Sequence, residues 1–296
     1  MSKLHYLAFS RASGIGAVTA RKLIERFGGV EAVFEADDTD LLAVPRVTPD
    51  IVRALREVPL DALEEEIELL DQEGLRVLTW EDEDYPANLA SAPDSPYLLY
   101  VYGDLLPEDA RSVAVVGTRE PSERAIEWAE SIARGLAERG VTVVSGLAIG
   151  IDAAAHRGAL NADAGRTLAV LGSGLRMIHP RSNVALAQEV SERGAIVSEY
   201  HPNTPVAGPA LMARDRIVSG LSLGVVVVEA ETRSGSTDTA EKARRQNRLV
   251  FAIPGSPGTD ALISSGAISL APGDADSVLT RLADVPSTGS EQLGLW

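Results

Sequence analysis

The run VTVVSGLAIGIDAAAH, Val141 to His156, decides the fold class. Its first four residues are β-branched and read as a buried strand that stops at Ser145-Gly146. A second glycine, Gly150, follows, and Asp152 opens an alanine-rich segment that reads as helix. A strand, a glycine loop and a helix start leave backbone N–H groups without helical partners beside the positive end of the helix dipole. The expectation is a phosphate cradle from Ser145, Gly146 and Gly150, with Asp152 as structural support at the helix start.

The same unit repeats outward from this run. SVAVVG (112–117), TLAVLG (167–172), AIVS (195–198), GVVVVEA (224–230) and LVFAIPG (249–255) are near-continuous apolar runs, and amphipathic stretches separate them. Runs of that kind are strands covered on both faces, so the pattern predicts an α/β domain with a doubly wound, mostly parallel sheet. In such a sheet the loops after the strands gather at one edge, where ligands bind. That edge receives Gly117 and Arg119, the glycine loop, Gly172 and Gly174, the EAETRSGSTDTA loop with Glu229, Ser234, Gly235 and Ser236, and PGSPGTD.

Arg119 follows its strand by two residues and is expected on phosphate, while Arg214 and Arg216 in ARDRIVSG should present at least one guanidinium to the crevice. Ser234 and Ser236 suit phosphate, although a capping box explains part of that pattern. Glu229 ends a buried strand and is expected to hold a loop or an arginine. No nucleophile and base pair stands out, so no catalytic residue is assigned. The four histidines lack ligand spacing and there is no cysteine, which argues against a metal centre; no cofactor is expected. GSGLRM has Met177 where a dinucleotide fingerprint wants its third glycine, and no glycine precedes a lysine as a P-loop requires.

The chain of 296 residues carries a formal charge of −16. Residues 1–110 hold 23 acids and 9 bases, and residues 111–296 hold 20 acids and 18 bases, so the acidic excess is N-terminal. The loop-bearing part is close to neutral and can form a positive groove. No apolar run is long enough to span a bilayer and the N-terminus lacks a signal pattern, so no membrane contact and a cytoplasmic location are expected.

Residues 1–72 read as a small all-α domain. GIGAVTARKLIERFGG (14–29) gives a turn, a helix and a glycine stop, and Leu41 to Val58 give a weaker second copy. Such paired units are similar to helix-hairpin-helix or SAM-like modules, but so acidic a module is a poor phosphate binder and also suits packing or protein contact. The boundary falls near residue 72, with the sheet domain over 73–285 and a polar tail over 286–296. YLLYVYG (97–103) is expected as an edge strand.

VVGTRE, VVSGLAIGIDAAAHRGAL, TLAVLGSGL, RDRIVSGLS, VVVVEAETRSGSTDTA and VFAIPGSPGTDALISSGA together resemble, in order, the DNA-processing protein A (DprA/Smf) family. The resemblance implies an extended Rossmann-like domain that binds single-stranded DNA. It also implies protection of incoming DNA in natural transformation, homodimerisation and loading of the RecA recombinase. It maps DNA contacts onto Arg119, Arg214 and Arg216. Asp215 stands where the family has asparagine and Leu211 where many members have phenylalanine, so DNA affinity is expected to be retuned. Many members carry a C-terminal winged-helix module, which is expected here to be absent or to have been removed. The alternative is a nucleotide-binding enzyme similar to the phosphoribohydrolases of the lysine-decarboxylase-like family, but Leu262 occupies the position of their loop glutamate. A nucleotide sensor using the same loops without turnover is the third reading.

Overall fold

The computed structural model describes residues 2–283. Contact density divides the chain into two compact units, residues 1–85 with 94–100, and residues 86–93 with 101 onward.

The first unit holds six helices and a strand: α1 (Ser2–Arg11), α2 (Ala17–Phe27), α3 (Val30–Glu35), α4 (Asp38–Leu42), α5 (Pro49–Arg56), α6 (Leu60–Gln72) and β1 (Leu75–Thr79). The two turn-helix copies read from sequence are α2 and α5. Gly28, at φ 84°, ends α2 by donating its N–H to Ile24 O, a left-handed cap that glycine adopts without strain. Thr48 caps α5, with Pro49 at the first helical position. An aromatic cluster of Tyr6, Phe9, Phe34, Trp80 and Tyr97 fills the core, and the Tyr97 hydroxyl donates to Ile15 O at 3.1 Å. The compact unit thus runs past residue 72, because β1 and the segment from Asp94 to Tyr100 pack with these helices.

The second unit contains α7 (Ala87–Ala90), the end of β2 (Leu98–Gly103), β3 (Ser112–Val116), α8 (Glu123–Ala137), β4 (Thr142–Ser145), α9 (Ile151–Leu160), β5 (Thr167–Val170), α10 (Val184–Glu192) and β6 (Gly194–Ser198). It continues with α11 (Gly208–Leu221), β7 (Gly224–Val227), α12 (Gly235–Arg245), β8 (Leu249–Ala252), α13 (Pro257–Ser264), β9 (Ile268–Ser269) and α14 (Ala275–Leu282). The polar tail read over 286–296 lies outside the described residues.

Seven strands pair in the order β6-β5-β4-β3-β7-β8-β9, every pair parallel. The fold is the doubly wound parallel arrangement that the apolar runs predict, in the extended Rossmann-like form that the family resemblance implies. Strands β3, β4, β6 and β7 are buried at every position, as a sheet covered on both faces requires. Val113, Val115, Val143, Val226 and Phe251 face α8, α9 and α14. The alternate residues of β3 face the other layer, where α11 lies. Helices α8 and α9 approach closely: a Cβ on Gly158 would collide with Glu130 O. From β3 the chain winds through β4, β5 and β6 to one side, then returns to β7 on the other. The switch point between those two directions is where a crevice must open.

Candidate nucleic-acid interface

A cavity of about 390 Å³ lies at that switch point. The loop after β3 supplies Gly117, Thr118, Arg119 and Glu120, and the loop after β4 supplies Gly146 and Ala148. Asp152 comes from α9, Leu211, Met212, Arg214 and Asp215 from α11, and Ser234, Gly235 and Ser236 from the start of α12. Seven of the twelve expected contact residues are therefore together: Gly117, Arg119, Gly146, Arg214, Ser234, Gly235 and Ser236.

The start of α12 is a capping box. Ser234 Oγ accepts the Thr237 N–H at 3.3 Å, and Thr237 Oγ1 accepts the Ser234 N–H at 3.0 Å. The positive end of this 11-residue helix thus borders the cavity beside two hydroxyls.

The glycine loop after β4 differs from an open cradle. Ala148 N–H donates to Asp152 Oδ2 at 3.4 Å, and the Gly146 N–H also hydrogen-bonds this carboxylate. Ile151 N–H is taken by Thr118 O at 3.2 Å. Two donors of the loop are spent on a carboxylate the chain itself provides, and a third on a backbone carbonyl. Burial raises the pKa of Asp152, while Arg214 and the loop donors pull it back.

Arg214 joins the two aspartates. It is 4% exposed, Nη1 donates to Val170 O at 2.6 Å, and Nε stands 3.2 Å from Asp215 Oδ1 without an aligned hydrogen bond. A Cβ on Gly146 would collide with Nη1, so that glycine makes room for Arg214. Asp215 is pushed up to about 6, first by burial; Arg214 and Lys242 lower it, and Asp152 and Asp238 raise it further. At the mouth, Arg119 is exposed and forms no ion pair among the described residues.

The other expected positions do internal work away from the cavity. Ser145 is fully buried and donates to Val115 O at 2.7 Å. Gly150, at φ 82°, lets the β3 loop pass: a Cβ there would clash with Thr118 O and lie 2.9 Å from Arg119 Cα. Gly172 admits the α11 backbone, with Leu211 Cα at 2.8 Å from such a Cβ, and Gly174 admits His201 O. Glu229 does hold a loop, accepting the Ser122 N–H at 2.9 Å and hydroxyl at 3.2 Å at the start of α8. His156 is core: its Nδ1 meets Thr167 Oγ1 at 2.7 Å, and burial, then the charges of Arg214 and Arg157, lowers its pKa to about 3. Glu120, Thr118 and Met212 line the cavity without having been singled out in the sequence. Position after β3 was the only available signal for the first two. Among the described residues no cluster of three metal-ligating side chains occurs, and no helix is long and apolar enough to cross a membrane.

The family model for DNA recombination-mediator protein A matches residues 76–283. The chain belongs to this family. Residues 7–58 also match a SAM-like helix-hairpin-helix tandem. Protein Smf of Synechocystis sp. is 35% identical over 295 residues, covering 97% of this chain and 72% of that protein. DNA processing protein DprA of Streptococcus pneumoniae is 42% identical over 175 residues, covering 59% of this chain and 61% of that protein. Among solved structures, DNA processing protein A from S. pneumoniae matches with a TM-score of 0.81 at 30% identity, covering 94% of this chain and 98% of that one. The Helicobacter pylori protein, described for its unique single-stranded DNA binding mode, matches with a TM-score of 0.62 at 30% identity, covering 70% and 95%.

Within this DNA recombination-mediator protein A domain the two arginines of ARDR part company. Arg214 lines the cavity, whereas Arg216 grips Glu199 in a bidentate pair, Nη1 to Oε1 at 2.5 Å and Nη2 to Oε2 at 2.7 Å. Two consecutive turns of sequence cannot reveal that partner, because Glu199 sits 17 residues earlier on the loop after β6.

Proposed function

We propose that this chain binds single-stranded DNA with little sequence preference and performs no chemistry on it. The observation that carries the reading is the switch-point cavity, where exposed Arg119, buried Arg214 and the hydroxyl-lined start of α12 converge without a nucleophile and base pair. Arginine and helix-start amides neutralise phosphate in such a site, while bases rest on Leu211 and Met212. Family membership and the likeness to the H. pylori protein described for single-stranded DNA binding support it. In the cell the bound strand is incoming DNA of natural transformation, held by a cytoplasmic homodimer and passed to the RecA recombinase.

The test is anisotropy titration of a labelled oligonucleotide, and separately of nucleoside monophosphates, across a salt series with wild type and Arg119→Ala. Oligonucleotide affinity should fall steeply with salt, and Arg119→Ala should weaken it about threefold to tenfold and reduce the salt slope by about one, with an unchanged melting temperature. Salt-insensitive mononucleotide binding with ribose release would favour the phosphoribohydrolase-like alternative and refute this reading. The transfer step is checked by whether the protein accelerates RecA filament assembly on the bound oligonucleotide.

A further inference from the structure

Two buried carboxyls border the switch-point cavity, and they differ in what they accept. Asp152 receives the Ala148 and Gly146 N–H groups of its own loop. Asp215, 7% exposed, receives no hydrogen bond among the described residues, and Arg214 Nε stands 3.2 Å away without alignment. Lys242, the other cation near it, is taken up by Asp238 and by Met212 O. Oδ2 lies over Gly235, which has no side chain to cover it; a Cβ there would sit 3.6 Å away. A buried acceptor without donors is unfavourable, and a ligand that supplies the missing hydrogen bonds relieves it.

The surroundings restrict that ligand. Arg214 lies beside the carboxylate, so a cationic donor is repelled and a neutral group with two adjacent N–H donors fits. Among the DNA bases guanine has such an edge, with N1–H next to the N2 amino group. Adenine and cytosine set one amino group beside a bare ring nitrogen that would face the second oxygen, and thymine sets its N3–H between two carbonyls. Leu211 and Met212 line the same cavity and offer an apolar, polarizable surface to a ring face. The volume of about 390 Å³ falls in the range of about 300–1,000 Å³ that small-molecule sites occupy. Arg119 and Ser234, which take phosphate in the reading above, belong to the same lining.

We infer that the cavity reads guanine: the Asp215 carboxylate accepts N1–H and the N2 amino group while the ring lies on Leu211 and Met212. The base belongs either to the bound strand or to a free guanine nucleotide, since both present this edge with a phosphate attached. For the strand, the inference rests on the single-stranded DNA reading and adds a preference at one base position to contacts that otherwise go to phosphate. An all-thymidine strand lacks the paired donors and meets only the charge of Asp215.

The test titrates oligothymidylates of about 8 nucleotides, unsubstituted or carrying one central dG, dA, dC or deoxyinosine, by anisotropy. It is run at pH 8, above the value of about 6 to which burial pushes this carboxyl. One dG should raise wild-type affinity about tenfold over dT, dA and dC should stay within about twofold of dT, and deoxyinosine, which lacks only the N2 amino group, should forfeit about threefold or more of the gain. In Asp215→Asn, with melting temperature as the folding control, the dG-to-dT ratio should fall to within about twofold. The deoxyinosine arm needs no variant and decides the matter even where Asp215→Asn folds poorly. Guanosine and adenosine monophosphates, measured by calorimetry and as competitors of the dG oligonucleotide, separate the sources. GMP that binds about tenfold tighter than AMP and displaces the strand adds the free nucleotide as a ligand, and GMP that does neither confines the guanine to the strand. Equal affinity for every oligonucleotide, or a dG advantage that survives both deoxyinosine and Asp215→Asn, would overturn the inference while leaving strand binding in place. If the wild type binds no oligonucleotide, the DNA reading falls and the GMP-to-AMP ratio decides alone: a ratio near one overturns the inference, and a tenfold ratio lost in Asp215→Asn supports it, by about the same bidentate contact.

Discussion

Asp215→Asn should tighten oligonucleotide binding at neutral pH and flatten its pH dependence. In the wild type this carboxyl lines the cavity, 3.2 Å from Arg214 Nε, with its pKa pushed up to about 6. A phosphate held in the cavity lies on the order of 8 Å from it, and at an effective dielectric of about 20 that repulsion is about 2 kcal/mol. Ionised Asp215 therefore lowers affinity by about tenfold to thirtyfold. Below about pH 6 the group is neutral, above it is charged, and a bound phosphate favours the protonated form. Binding thus takes up a proton, and wild-type affinity climbs as pH falls from about 8 to 5.5. Asp152, also raised by burial, acts in the same direction.

Stability carries the same sign. A carboxyl displaced from 3.8 to about 6 is ionised in the folded protein at a cost of about 3 kcal/mol at neutral pH. That cost vanishes as pH drops through 6 toward 4, because the folded state then holds the proton more tightly than the unfolded chain does. Asp215→Asn should therefore melt several degrees higher than wild type at pH 7.5, with the gap reduced to about half by pH 5. Anisotropy and thermal denaturation over pH 5–8 provide both curves. Unchanged or weaker binding by the variant at pH 7.5, with the wild-type slope intact, would refute the reasoning.

Three further substitutions probe the frame around the site. Gly146→Ala should displace Arg214, costing upward of about 2 kcal/mol, and should lower both melting temperature and oligonucleotide affinity. Ile132→Ala removes a fully buried side chain from the core between α8 and the sheet, and urea denaturation should report a loss of about 2–5 kcal/mol. Glu229→Gln exchanges a charged acceptor for a neutral one at the start of α8. It should cost about 1 kcal/mol while weakening DNA binding less than Arg119→Ala does.

The sheet was legible because β3, β4 and β7 are buried on both faces, so almost every position is apolar and the runs stand out. The strand β1 was not: Leu75 to Thr79 reads LRVLT, with a charge inside it. The site was legible where position along the chain fixes position in space, as for Arg119 directly after β3 and Ser234 at the start of α12. It was illegible where a long side chain chooses among tertiary partners. Arg216 turns to Glu199, and Asp152 fills the loop that sequence alone offers to phosphate. Local glycine pattern shows that backbone must come close to something; at Gly146, Gly172 and Gly174 that something is protein.

The two anchors around Arg119 bear on how quickly a ligand is captured. Thr118 is fastened through its N–H to Glu229 O at 2.8 Å and through its own carbonyl to Ile151 N–H, and Ser122 is fastened to the Glu229 carboxylate. Only three residues of backbone span the interval, so the exposed guanidinium swings from a fixed base. Capture of a phosphate then requires ordering one side chain, at an entropic cost of about 2 kcal/mol or less, and no loop closure. Association at this mouth should accordingly follow ionic strength and diffusion, without a conformational gate that slows it.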